Sequence, residues 1–156
     1  MNDRALLAAQ GYLELGMVDE ALAELSSMEC LVAGDPELVE LRLHILMQGE
    51  RWAEALVEAE ALLRLSPLSL PAYIHGAFAL HELGRTAEAR DLLLKGPEIL
   101  HKDPTYHYNI GCYEAVLGNS QSAKQSLERS FALDESYRDF AKKDPDLEAI
   151  RHELAS

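Results

Sequence analysis

The sequence predicts an all-α fold, an α–α solenoid of about four helix-turn-helix repeats, and two observations carry this prediction. The helix formers Ala, Leu and Glu dominate the chain, while Gly and Pro fall between the predicted elements rather than inside them. A pattern of small and apolar residues also returns with a period of 34 residues. The recurring residues are Ala9, Leu43, Ala77 and Gly111 in the first helix of each unit, and Ala21, Ala55, Ala89 and Ala123 in the second. A fixed period of this length is typical of solenoids whose repeating unit is a pair of helices.

Glycines mark the turns between the paired helices. Gly16, Gly84 and Gly118 stand at equivalent positions, whereas in the second unit Gly49 falls one position early. A small residue in the first helix, a glycine at the turn and an alanine in the second helix together resemble the tetratricopeptide repeat (TPR) family. The resemblance implies a right-handed TPR superhelix within a single domain, residues 1–156. Its approximate parts are repeats at 2–34, 35–68, 69–102 and 103–136, followed by C-terminal capping helices within 137–156.

Repeats one and two are placed by apolar spacing and by a capping signal. Apolar residues three and four apart predict helices near 3–15 and 19–30 in repeat one. Repeat two opens with Asp35-Pro36, an aspartate that caps a helix followed by a proline that needs no amide partner. The same pair recurs at Asp103-Pro104 and Asp144-Pro145, which predicts two further helix starts. Trp52, at the start of the second helix of repeat two, is expected to pack between repeats.

Repeat three is predicted to be interrupted, because Gly96-Pro97 falls within its second helix. Proline removes a backbone donor and clashes with the preceding turn, so we expect a break near 95–97 and a short turn at 98–101. Beyond repeat four, residues 135–143 and 145–154 are predicted to be a terminal helix pair. Its expected inner stripe consists of Phe140, Leu147 and Ile150.

The charge of the chain limits its partners. A net charge of −13 comes from 27 acidic and 14 basic residues. It argues against binding to nucleic acid or to an anionic membrane surface, since both need clustered Lys and Arg. Residues 1–68 alone carry 13 acids and 4 bases, a balance of −9. Two interpretations stay open for this charge, a solvated surface that keeps the protein soluble or an acidic docking face.

The cellular location of the protein is predicted from signals that are absent from the sequence. The first residues do not have the layout of a secretory signal, and no apolar stretch reaches the roughly 18 residues of a membrane span. The two cysteines, Cys30 and Cys112, lie in different repeats and are too few for a disulfide framework. These features predict a cytoplasmic protein.

Catalytic motifs are missing from the sequence. It has no glycine-rich phosphate loop, no nucleophile elbow, no HExxH and no CxxC. We therefore predict a protein that is not an enzyme and that carries no cofactor or metal. The alternative of a different class is a metal-dependent or thiol enzyme built on His44, His81 and Cys112, which requires these side chains to converge.

The resemblance implies a binding function, because the first helix of each TPR unit lines a concave groove. The corresponding residues here are Leu6, Gln10, Leu13, Glu14, Glu40, His44, Met47, Ile74, Phe78, His81, Glu82, Tyr108, Cys112 and Ala115. We predict that this groove binds a peptide or an amphipathic helix whose apolar side chains enter it and whose Lys and Arg meet the acidic rim. Phe78 and Tyr108 are the expected anchors.

Alternatives stay open for the groove and for its role. The groove is either open, or filled by the terminal segment so that its side chains belong to the core. A cytoplasmic chaperone of the type III secretion class is the second candidate among binding proteins, from its similar size, acidity and repeat number. A clamp for a partner's C-terminal carboxylate is disfavoured, because Asn109 is the only residue of the required kind near these positions.

Overall fold

The computed structural model describes residues 3–154, apart from the side chain of Cys30. Throughout this range the regular elements are helices joined by turns, which confirms the predicted all-α solenoid of TPR type. The described chain divides between Ala79 and Leu80 into two compact units, called unit 1 and unit 2 below. The single domain and its repeat bounds stay a prediction. No helix among the described residues combines the length and the apolar character needed to cross a membrane.

Unit 1 holds the helices of the first two predicted repeats and most of α6. Its helices are α1 (Asp3–Glu14), α2 (Val18–Ser26), α3 (Glu29–Val32), α4 (Pro36–Gln48), α5 (Trp52–Leu65) and the greater part of α6 (Leu70–Glu82). Consecutive helices pack as pairs, α1 with α2 and α4 with α5. The predicted helix at 19–30 is divided into α2 and the one-turn α3. Near the division, the hydroxyls of Ser26 and Ser27 donate to the carbonyls of Leu22 and Glu24, an interaction that competes with helical backbone bonds.

Unit 2 holds the helices that follow. They are α7 (Thr86–Leu94), α8 (Pro104–Val116), α9 (Ser120–Leu133) and α10 (Tyr137–Ala141), with 3₁₀ turns at Glu98–Lys102, Pro145–Leu147 and Arg151–Glu153. The predicted break at Gly96-Pro97 is confirmed, because α7 ends at Leu94 and a 3₁₀ turn begins at Glu98. α8 and α9 form the most extensive helix pair of this unit.

All three aspartate–proline pairs form the predicted cap, and two of them begin α-helices. Each aspartate accepts a hydrogen bond from the amide two residues later, at 2.9 Å for Asp35, 2.8 Å for Asp103 and 3.0 Å for Asp144. The first two begin α4 and α8, but the third begins only a 3₁₀ turn. The terminal helix pair is therefore shorter than the predicted ranges.

The inner stripe of the terminal region was predicted wrongly at one position. Leu147 and Ile150 are buried, whereas the side chain of Phe140 is 65% exposed. α10 has little more than one turn, and its inner positions are taken by Tyr137, which packs on Tyr108 with ring centroids 5.2 Å apart, and by the buried Ala141. Residues four apart share a helix face, so Phe140 is left on the outer side.

The turn after the first helix has the same geometry in all four repeats. Each of four amides donates to the carbonyl five residues earlier, and the amide just before it in the chain donates to the carbonyl three residues earlier. The four amides are those of Met17, Arg51, Arg85 and Asn119. This is the Schellman pattern, which needs one residue with positive φ. That residue is a glycine in three repeats, with φ of 72°, 80° and 85°, but it is Glu50, with φ of 56°, in repeat two. Gly49 has a different role, because a Cβ there would lie 2.7 Å from Cγ1 of Val18.

We expect Glu50→Gly to raise the free energy of unfolding by roughly 0.5–1 kcal/mol, because glycine adopts positive φ without the steric cost of a side chain. Denaturant unfolding followed by circular dichroism measures the change. Glu50→Ala is the matched control, since it removes the same charge but keeps a Cβ, and it should give no gain. Equal gains in the two variants would show that charge, not backbone strain, is responsible.

Candidate partner-binding surfaces

The predicted groove residues of unit 1 are mostly accessible. Gln10 and Glu14 on α1 are exposed, and Glu40, His44 and Met47 on α4 are half-buried. On α6, Ile74 and Phe78 are also half-buried. Phe78 packs on Trp52, with ring centroids 5.6 Å apart, so Trp52 contacts the next repeat as predicted. These side chains are therefore available for contact, and Phe78 is supported by a neighbouring aromatic ring.

A pocket of about 360 Å³ lies in unit 1 between α1, α3 and α4, and we call it the α1–α4 pocket. Two predicted groove residues, Leu6 and Gln10, line it. Its other apolar lining comes from Met28, Leu31, Leu38 and Leu41, and the carboxylates at its edge belong to Asp3, Asp35 and Glu37. The pocket thus combines an apolar interior with an acidic edge.

The acidic groups of unit 1 are only partly neutralised. Arg42 pairs with Glu29 at 2.9 Å and with Glu58 at 3.1 Å, and Arg51 pairs with Glu54 at 2.8 Å. Among the described residues, Glu14, Glu37 and Glu40 have no ion-pair partner. Residues 1–79 contain no charged residue beyond position 68, so the balance of unit 1 is that of residues 1–68, or −9. This unit has a surplus of negative charge that a basic partner could neutralise.

A pair of histidines lies beside the predicted groove in unit 1. The rings of His44 and His75 meet edge to face, with centroids 4.9 Å apart. Burial of His75 and the proximity of His44 lower the pKa of His75 to about 4. His75 is therefore neutral at physiological pH.

The predicted groove residues of unit 2 contact the end of the chain. The hydroxyl of Tyr108 donates to Oδ2 of Asp144 at 2.7 Å, and Sγ of Cys112 lies 3.6 Å from the same oxygen. Nε2 of His81 lies 2.8 Å from Oδ2 of Asp146. Tyr108 and Cys112 are buried, whereas Glu82 is exposed. In unit 2 the chain's own residues thus occupy the space next to three predicted binding positions.

The same cluster contains possible metal ligands. Sγ of Cys112 and one oxygen each from Asp144 and Asp146 lie within 4.8 Å of one another. These atoms already bond to Tyr108, to His81 and to each other. Burial and the nearby Asp144 carboxylate raise the pKa of the Cys112 thiol well above its ordinary value, which disfavours the thiolate needed for metal binding or nucleophilic attack. The arrangement therefore favours a hydrogen-bonded contact over metal or thiol chemistry.

Sequence reasoning missed several residues of these surfaces. Leu31 and Leu41 line the α1–α4 pocket, but they were not among the groove positions implied by the resemblance. The sequence predicts only a helix-capping role for Asp144. In the structure its second carboxylate oxygen also accepts a hydrogen bond from the hydroxyl of Tyr108. The Asp-Pro-Asp sequence could have indicated these contacts, because it places a second carboxylate directly after the capping pair.

Comparisons with known proteins agree with this architecture. Residues 46–108 match the family model of the tetratricopeptide repeat. MamA from Desulfovibrio magneticus RS-1, residue 41 to the end, has a similar fold, with a TM-score of 0.79 and 19% identity over 91% of this chain and 82% of that one. The MamA MSR-1 C2 structure is similar with a TM-score of 0.74 and 19% identity, over 85% and 76% of the two chains.

At this level of identity the likeness shows the fold alone. No curated protein matches the sequence. Repeats of this kind present extended surfaces that bind other proteins, which supports a protein-interaction scaffold rather than an enzyme. The matched repeats and the shared fold together confirm the prediction that this chain contains tetratricopeptide repeats and has the fold of such proteins.

Proposed function

We propose that unit 1 binds a peptide or an amphipathic helix that carries both apolar and basic side chains. The observation that supports this most directly is the α1–α4 pocket, which has an apolar interior and carboxylates at its edge. Its volume of about 360 Å³ is at the lower end of the range of ligand pockets, a size suited to one or two apolar side chains. The surplus negative charge of unit 1 supports a basic partner.

The binding mode follows from the lining residues. An apolar anchor of the partner would enter between Leu6, Leu31 and Leu41, and its Lys or Arg would lie near Glu37 and Asp3. The other predicted groove residues of unit 1 would extend the contact along the partner. They are Glu14, Glu40, His44, Met47, Ile74 and Phe78. The cytoplasmic location and the chaperone role remain predictions that this surface does not test.

We expect an amphipathic helical peptide of leucine and lysine to bind the full chain, and Leu31→Ser to weaken this binding about tenfold because an apolar wall of the pocket is lost. Fluorescence anisotropy of the labelled peptide measures the affinity. Leu133→Ser is the matched control, since Leu31 and Leu133 are both 49% exposed but Leu133 lies in α9, outside the pocket. The affinity should also fall as salt is added, because charge contributes to the encounter.

Two results would contradict the proposal. One is an equal loss of affinity in Leu31→Ser and Leu133→Ser, which would place the contact outside the pocket. The other is equally strong binding of a peptide in which glutamate replaces every lysine. That result would show that the acidic edge has no part in recognition.

A further inference from the structure

Residues 144–150, which we call the terminal segment, are held in unit 2 in the manner of a bound peptide. Their regular structure is limited to the 3₁₀ turn Pro145–Leu147. The side chains of Leu147 and Ile150 are buried, and the carboxylates of Asp144 and Asp146 each meet a polar group of another element. The side chains of the segment therefore make its contacts with the other elements of unit 2.

The surface that receives the two carboxylates is made of hydrogen-bond donors, and we call it the α8 face. It consists of Tyr108 and Cys112 on α8 together with His81. Nδ1 of His81 lies 2.9 Å from Oγ1 of Thr86, and its ring packs on the buried Tyr113 with centroids 4.9 Å apart. Packing and the Thr86 contact hold the imidazole in place, so Nε2 is directed to Asp146.

We infer that the α8 face is a second binding surface, specific for acidic segments with two aspartates separated by one residue and followed by leucine. The terminal segment is its intramolecular occupant, and a partner with a matching acidic segment exchanges with it. The inference does not rest on the function proposed for unit 1, whose partner is basic. It rests on complementarity: three donors face two carboxylates, and two apolar side chains are buried beside them.

The test uses a labelled peptide of residues 143–153 and the full chain carrying Asp144→Asn and Asp146→Asn. Asparagine caps a helical turn as well as aspartate, so the substitutions remove the carboxylates but keep the cap. A tethered segment has an effective concentration on the order of millimolar, so it competes strongly with added peptide in the wild type. We expect the peptide to bind the double variant about tenfold more tightly than it binds the wild type. Glu148→Gln, an exposed acid of the same segment, is the matched control and should behave like the wild type.

Recognition of the two carboxylates is tested by substitutions in the peptide and in the α8 face. A peptide with both aspartates replaced by asparagine should bind the double variant about tenfold more weakly. Adding His81→Gln should reduce this preference, because Tyr108 and Cys112 still face Asp144 but the donor to Asp146 is lost. Equal binding of the two peptides, a preference that His81→Gln leaves undiminished, or binding that requires added zinc would each overturn the inference. Circular dichroism checks the fold of each variant. If the double variant is unfolded, Asp146→Asn alone, which leaves the Asp144 cap intact, replaces it in the same comparison.

Discussion

Gly111→Ala is expected to lower the free energy of unfolding by about 1–3 kcal/mol, although alanine is the better helix former. A Cβ at position 111 would lie 2.6 Å from Cγ and 2.8 Å from Cδ2 of Leu127, and 3.3 Å from the carbonyl oxygen of Ala123. Leu127 is fully buried and cannot move aside without disturbing the core. α8 and α9 must therefore separate to accept a methyl group. Thermal or denaturant unfolding gives the size of the loss.

Two comparisons separate crowding from any general effect of the substitution. Gly11→Ala is the matched control, because Gly11 is inside α1 and, apart from the backbone of α1 itself, nothing lies within 4 Å of the position that a Cβ would take there. This change should raise the free energy of unfolding by roughly 0.5–1 kcal/mol. In a chain that already carries Leu127→Ala, Gly111→Ala should be much less destabilising, because the two closest atoms are gone and only the carbonyl oxygen of Ala123 remains. A loss of the same size in both backgrounds would rule out contact with Leu127 as the cause.

The repeat period explains why much of the fold could be predicted from the sequence. It located the buried alanines and the turn positions, because packing between paired helices repeats with the chain. In repeat two the period gives position 50, where Glu50 has the positive φ although the glycine stands at 49. The glycine at 49 is explained by Val18, a residue of another helix. Contacts of this kind leave no periodic trace in the sequence.

The binding surfaces could be predicted less well, for a related reason. The resemblance placed Tyr108 and Cys112 at binding positions, but it could not show that Asp144 reaches both of them. The terminal segment lies outside the period, so only its hydrogen bonds reveal where it packs. The α1–α4 pocket depends on Leu31 in α3, and a continuous helix over 19–30 would not have formed this wall.

Acid is expected to destabilise the protein through His75, by about 3 kcal/mol once the pH is well below 4. In the folded chain burial and His44 lower the pKa of His75 from its ordinary 6.5 to about 4. The unfolded chain therefore binds the proton first as pH falls. The free energy of unfolding then decreases between pH 6.5 and about 4, and above 6.5 this contribution does not change with pH. The size follows from about 1.36 kcal/mol for each pH unit between the two values.

The measurement is the free energy of unfolding at several pH values for the wild type and for His75→Gln. Other groups titrate in the same window: His81 has a raised pKa and stabilises in the opposite direction, while burial lowers the pKa of His107. These contributions are common to both proteins, so the difference between them isolates His75. The variant should lose most of the slope between pH 6.5 and 4, whereas His152→Gln, at an exposed site, should retain it. A slope that is the same in all three proteins would show that His75 is accessible to protons in the folded chain, and that the His44–His75 contact does not exclude water.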